Sequence, residues 1–300
     1  MEIGVALPQM AADYQANSTL DWARGIDAGP FSSVSAGERV TFSNPEMVAA
    51  LGACAAVTER VRIFANLWVL PQHPMAMVAQ QIGTLDQISG GRLEVAVGVG
   101  GREEDYRALE APFSGRHQAL DEKVLELKRL LAGQAAFEGG APVGPACVQP
   151  GGPRILSGAM GPKAMARAAV WADGVSGFSI AGDAAEIAAA NALADRCWDA
   201  AGRTDVPHKV SGCFVALGVP DAAGVLGTFT SRYLGFLGLE LAEAVAATAQ
   251  THSSGALHRV LDGAAEAGCD EFILVPGTAD LRCLEALVGA AQAWESTVRG

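Results

Sequence analysis

Residues 84–106 read TLDQISGGRLEVAVGVGGREEDY, a run that joins a helix end, a buried strand and a glycine-rich strand exit. Val78, Ile82 and Leu85 fall at i, i+4 and i+7 of a helix that the sequence starts at Pro74, and Gly90 supplies a left-handed stop. Over 93–99 the period changes. Leu93, Val95, Ala96, Val97 and Val99 are apolar and Glu94 is the single polar interruption, as in a strand covered on both faces of a parallel sheet. Gly98, Gly100 and Gly101 then leave the backbone bare where the strand ends, and Arg102, Glu103, Glu104 and Asp105 make the next turn polar. Taken alone, the glycines fit a tight turn into a helix as well as a ligand-facing exit, because G-x-G runs are weak motifs.

Short apolar or β-branched runs of the same kind recur at 3–7, 33–35, 62–69, 93–99, 154–156, 174–178, 210–219 and 271–275, with helical text between them. Ser18 with Asp21 reads as a capping box. Asn44, Pro45 and Glu46 read as N-cap, first helical residue and first-turn acid. Leu120, Val124, Leu127 and Leu131 form an apolar stripe that stops at Gly133. Eight β/α alternations predict a (β/α)8 barrel, which typically needs about 250 residues, so a single domain over 1–300 is expected. Two segments break the rhythm: 133–152, rich in Gly and Pro, is an insertion before strand five, and 221–255 is a helical insertion between strands seven and eight. In the second, Phe229, Tyr233 and Phe236 either line a substrate pocket or pack an amphipathic helix onto the barrel.

Half of the residues are hydrophobic, enough for a large core, and the formal net charge of −12 argues against nucleic acid or an anionic membrane as the main partner. The six cysteines are scattered without a C-x-x-C pair and read as reduced, buried thiols of a cytoplasmic protein. The opening text MEIGVALP reads as a strand, so no signal peptide is expected, and no apolar run reaches the about 18 residues that span a bilayer. H-E-x-x-H, metal-spaced Cys/His clusters, P-loops and G-x-S-x-G elbows are missing from the sequence, so no metal is expected and hydrolase readings recede.

The stretch from Pro45 to Val99, PEMVAALGACAAVTERVRIFANLWVLPQHPMAMVAQQIGTLDQISGGRLEVAVGV, continued by Gly100, resembles the bacterial luciferase superfamily of flavin- and deazaflavin-dependent oxidoreductases. RHQALDEKVLELKRLLAG at 116–133 and PRILSGAMGPKAMARAAVWADGVSG at 153–177 extend that resemblance over most of the chain. It implies a barrel that holds reduced FMN or coenzyme F420 at the carboxyl ends of its strands. Ser157, Gly158, Ala159 and Met160 then sit before the helix opened by Pro162, an arrangement that aims N–H groups at a phosphate, although relatives often carry glycine where Ala159 stands. Asn66 and Leu67 match the position where the family often has a non-proline cis peptide under the central ring, and an ordinary buried strand pair is the plain alternative. Gly98, Gly100, Gly101, Arg102 and Tyr106 complete the expected cofactor rim.

At the second strand's exit the sequence reads Ser35-Ala36-Gly37-Glu38-Arg39, where many relatives place Asp-His or a similar pair. Glu38 is the ionisable candidate there, against a surface ion pair with Arg39. His73, before Pro74, is the second catalytic candidate, against a helix-start or packing role. The resemblance therefore implies a monooxygenase using reduced FMN and oxygen on a small organic substrate, served by a separate flavin reductase. The alternatives are an F420-dependent hydride-transfer enzyme and a flavin-binding protein without turnover. A homodimer is implied as well, for which the small residues Ala49, Ala50, Gly52 and Ala53 suit a close helix face.

Overall fold

The computed structural model describes residues 1–299. Eight parallel strands close into a barrel in chain order: β1 (Glu2–Ala6), β2 (Ser33–Ala36), β3 (Arg62–Val69), β4 (Leu93–Gly98), β5 (Ile155–Ser157), β6 (Gly174–Ser176), β7 (His208–Val215) and β8 (Glu271–Pro276). The helices between and after them are α1 (Ser18–Ala28), α2 (Met47–Val57), α3 (Met75–Ser89), α4 (Glu103–Ala108), α5 (Arg116–Leu131), α6 (Pro162–Trp171), α7 (Ala184–Ala200), α8 (Ala222–Leu234), α9 (Leu239–Ala246), α10 (Ser254–Glu266) and α11 (Leu281–Arg299). This is the expected (β/α)8 barrel. No helix among the described residues is long and apolar enough to cross a membrane.

The chain divides into two compact units. One holds Met1–Ser35, Gly177–Leu193 and the chain from His208 onward, and the other holds Ala36–Ser176 and Ala194–Pro207. Within the second, β4 is buried along its whole length and pairs with β3 and β5. Its one acid, Glu94, is buried and meets Arg62 at 3.4 Å and Arg154 at 3.3 Å, which compensates for a carboxylate in an otherwise apolar strand. The helix before it ends as its text requires: Gly90 is left-handed (φ 66°, ψ 36°), and the Gly91 N–H donates to the Asp86 carbonyl at 2.9 Å. The irregular segment that follows α5 carries one isolated bridge, Ala135 with Pro142, and Asp86 anchors its far end by accepting from the Gln149 N–H and side-chain amide.

Within the first unit, β1 pairs with β2 and β8, and the buried Glu271 accepts from the hydroxyls of Ser32 and Ser33. Phe214 of β7 sits at the centre of an aromatic cluster, with ring centroids 4.7 Å from Phe178, 5.1 Å from Phe229 and 5.2 Å from Tyr233. Phe229 is buried in that cluster, so for this residue helix packing is the right account. Tyr233 is half-buried and Phe236 is half-exposed in the 3-10 turn after α8. All six cysteines are free; Cys54, Cys213, Cys269 and Cys283 are buried, whereas Cys147 and Cys197 are only partly so. Burial pushes the Cys54 and Cys213 thiols up to about 12.

Three local expectations are corrected. Ser18 and Asp21 make no capping box: the N-cap is Asn17 without a side-chain bond, and the Ser18 hydroxyl accepts from the Gln15 N–H. α2 begins two residues later than its text suggests, because Glu46 itself is the N-cap and its carboxylate accepts from Val48 and Ala49, while Asn44 donates to the carbonyls of Arg39 and Pro45. The buried stripe of α5 runs Leu120, Val124, Leu127, Leu130 rather than ending on Leu131.

The arginine of the SGGR text is a structural tie. Arg92 donates to the carbonyls of Ala55, Thr58, Val61 and Ser89 and to the Thr58 hydroxyl, which satisfies the carboxyl end of α2 and the turn into β3 together. Arg92→Met should strip several of these carbonyls of their donor and lower the unfolding free energy by about 3 kcal/mol, measured by urea denaturation.

Candidate active site

The carboxyl ends of β3 to β6 and the loop after β2 belong to one compact unit, and their shapes are keyed to a fault in β3. Ala65 pairs with Val95 and Trp68 with Val97, so Asn66 and Leu67 together oppose the single residue Ala96. This is a β-bulge, a device that re-aims side chains next to sites. The Asn66–Leu67 peptide is cis, as the resemblance implies. The backbone after β2 lies directly on it: the Glu38 N–H donates to the Leu67 carbonyl at 3.2 Å, and a Cβ at Gly37 would stand 2.8 Å from the Asn66 carbonyl oxygen.

The two bulge side chains have separate partners. The Ser176 hydroxyl, at the end of β6, donates to Asn66 Oδ1 at 2.8 Å, which leaves Nδ2 with no protein acceptor among the described residues. Leu67 leans over two strand exits. A Cβ at Gly98 would meet its methyls at 3.1 Å and one at Gly158 would meet Cδ2 at 2.4 Å, so these two glycines make room for leucine.

Glu38 and His73 come together. His73 Nε2 lies 2.6 Å from Glu38 Oε1, and Glu38 Oε2 accepts from the Val69 N–H at 2.7 Å. The alternative of a surface ion pair between Glu38 and Arg39 is absent among the described contacts of Glu38; the Arg39 guanidinium stacks on Phe42, 3.8 Å from the ring centroid. A carboxylate at Glu38 offers only acceptors, which assigns the shared proton to His73 Nε2, and Nδ1 has no protein partner among the described residues.

The other rim candidates take different positions. Gly100 is left-handed (φ 60°), and a Cβ there would meet Val69 at 2.9 Å. Gly101 is exposed and Arg102 is the N-cap of α4. Tyr106 stands behind the rim: it is fully buried, its hydroxyl donates to the Val99 carbonyl at 2.6 Å, and its ring meets Phe113 edge-on. Burial chiefly pushes its hydroxyl up to about 12, with Arg116 opposing and Glu38 adding, so it remains a proton donor at neutral pH. Ser157 is buried and the Gly158 N–H is taken by the Val97 carbonyl at 2.8 Å. Past it, the N–H groups of Ala159, Met160 and Gly161 have no acceptor among the described residues. Pro162 opens α6 immediately afterwards, and no side chain caps that helix. The Met160 side chain is exposed.

A match to the model of the luciferase-like monooxygenase family runs over residues 1–268. The chain belongs to that family. Over 102 residues it is 35% identical to the pyrimidine monooxygenase RutA of Cronobacter turicensis, an alignment covering 32% of this chain and 27% of that protein. The chain thus matches less than a third of that relative's length. Among solved structures, an F420-dependent secondary alcohol dehydrogenase in complex with an F420–acetone adduct superposes with a TM-score of 0.78 at 17% identity, covering 98% of this chain and 99% of the other. The oxygenating constituent of 3,6-diketocamphane monooxygenase from Pseudomonas putida, in complex with FMN, gives 0.70 at 15% identity over 96% of each chain. At these identities the likeness is one of fold.

Ser176, Lys123, Asp105 and Thr41 escaped the sequence reading. Asp105 is buried and accepts from the Thr41 N–H at 2.7 Å and hydroxyl at 2.5 Å, which pins the loop that carries Glu38. The bulge geometry separates two glycine substitutions. Gly37→Ala forces backbone apart and should cost about 1–3 kcal/mol in thermal or urea unfolding. Gly158→Ala displaces only the end of Leu67, so stability should fall by no more than about 1 kcal/mol while the shape of the rim changes.

Proposed function

We propose that this protein is a flavin-dependent monooxygenase that takes reduced FMN from a separate reductase and acts on a small organic substrate. The observation that carries the reading is the Glu38–His73 pair, a carboxylate that fixes an imidazole with its second nitrogen bare, set against the bulge at the carboxyl end of β3. The residues present fit an FMN-sized group. Ala159, Met160 and Gly161 would hold its phosphate through uncommitted N–H groups at the start of α6, and the half-buried Leu67 offers an apolar surface for its ring. Asn66, held by Ser176, offers an amide donor on the same edge of this unit. When bound, reduced FMN would supply the activation of oxygen.

The work of this chain's own residues is positioning and proton handling. Glu38 holds the ring through Nε2, so His73 would take a proton at Nδ1 without losing its orientation and return it from the same atom. The match to RutA favours FMN over F420, since that relative is a monooxygenase by name. The pair favours turnover over a binding protein without it, since an oriented imidazole with a bare nitrogen suits proton transfer. For the dimer we place the contact on α2 and α3, where Ala49, Ala56, Met77 and Ile88 are exposed, whereas Ala50 is buried within its own fold. Light scattering should report twice the chain mass.

Fluorescence titration of the apoprotein with reduced FMN and with F420 decides the cofactor; tight binding of F420 alone would overturn the monooxygenase reading. His73→Gln should lower kcat by about 10²–10⁴ with cofactor affinity unchanged. Wild-type turnover in that variant would remove His73 from the chemistry.

A further inference from the structure

Beside the Glu38–His73 pair lies a charged group that does not touch either side chain. Lys123, half-buried in the middle of α5, donates from Nζ to the His73 carbonyl at 2.7 Å and to the Pro71 carbonyl at 2.9 Å. These are two backbone acceptors of the short turn Leu70–Gln72 and of the residue that ends it. The same residue is restrained from its other sides. The His73 N–H donates to the Leu70 carbonyl at 3.2 Å, and Pro74 confines His73 to extended backbone, observed at φ −118° and ψ 152°. With N–H, carbonyl and dihedrals all fixed, only the two side-chain torsions of His73 remain, and Glu38 fixes those. We propose that Lys123 is a positioning residue for this pair: its ammonium clamps the backbone of His73 so that Nε2 meets Glu38 and Nδ1 stays bare.

The proposal rests on the reading of Glu38 and His73 as the proton-handling group, but it makes a separate claim about geometry. A neutral tie between α5 and the turn would serve packing equally well. The specific need is for a donor that reaches two carbonyls at once from one helix position, and a lysine head with three donors on a flexible four-carbon stem provides it. Burial lowers the Lys123 pKa, with Glu126 acting in the opposite sense, so the head is partly desolvated and each of its two carbonyl bonds is strengthened accordingly.

The test uses the full chain with 15N-labelled histidine at pH 8, the His73 ring being assigned by the signals lost in His73→Gln. Long-range nitrogen–proton correlation should show wild-type His73 as one tautomer with the proton on Nε2. Lys123→Met should replace it by the averaged tautomers of an unrestrained ring, lower kcat by about tenfold to a hundredfold, and leave KM and FMN affinity unchanged, with Lys123→Arg restoring most of the signal. If Lys123→Met does not fold, Lys123→Gln carries the same comparison, since its planar amide loses the charge and one carbon of reach and with them the double contact. A wild-type tautomer signature and kcat in the Met or Gln variant, with only a lower unfolding temperature, would overturn the proposal. If the tautomer signature is lost in Lys123→Met while His73→Gln turns over normally, positioning by Lys123 stands and the catalytic reading of the pair falls.

Discussion

The two-against-one bulge at Asn66 and Leu67 is the constraint on which the rest of the site depends. A regular β3 would point these side chains to opposite faces and give both their backbone groups to the ladder. The bulge releases the Leu67 carbonyl to hold the Glu38 N–H, lets Gly37 pass against the Asn66 carbonyl, and tips Leu67 over the exits of β4 and β5. Strand exits that are separate in sequence thus share one reference point. A side chain at Gly37 would move backbone rather than a rotamer, so tolerance is lowest where the chain segments meet and higher at the leucine's edge.

The barrel was legible in the sequence because burial on both faces of a parallel strand writes an unambiguous apolar run, as over Leu93–Gly98, and because Gly90 can serve few purposes other than a left-handed helix end. The Asn66–Leu67 position was legible only through family resemblance, since nothing in the text FANLWV signals a bulge. Caps were read less well. Ser18 and Asn44 are good capping residues by type, yet Asn17 and Glu46 hold the cap positions, because a capping preference of about 1 kcal/mol yields to where the packed helix must start. What the sequence could not show was partnership between distant residues. His73 is 35 positions from Glu38, and Lys123 is 50 from His73, and no local periodicity encodes such distances.

Charge placement bears on where an acidic chain could accept an anion. Several helix starts are closed by side-chain oxygens, Glu46 on α2, Asp221 on α8, Ser253 on α10 and Asp280 accepting the Arg282 N–H at the start of α11, whereas α1, α3, α4, α5 and α9 share with α6 a start without a side-chain cap. The turn after β8, where barrels most often bind phosphate, is also held by Asp13, which accepts from Thr278 and Ala279. An anion there would face two carboxylates. At α6 the preceding residues are Ala159, Met160 and Gly161, which carry no acid, and the helix end keeps its positive field. The start of α6, proposed above as the place of the phosphate, thus has no acid of its own to compete with an anion.

Glycines at strand exits are usually credited to close approach by a ligand, and here the geometry divides that credit. Gly98 and Gly158 face Leu67, and Gly100 faces Val69, so each is required by neighbouring protein atoms before any ligand arrives. The glycine-rich text therefore specifies how the rim packs, and it would be needed equally by relatives with different chemistry. Such text marks a fold and a binding place but carries little about the reaction. What is particular to this rim is where its own acid and imidazole stand: Glu38 after β2, His73 brought to it from the turn after β3, and Lys123 behind that turn. Under the proposed function the reaction has to be argued from those three side chains, because the N–H of Glu38 meets the bulge carbonyl of Leu67, its carboxylate meets His73, and Lys123 holds the His73 carbonyl.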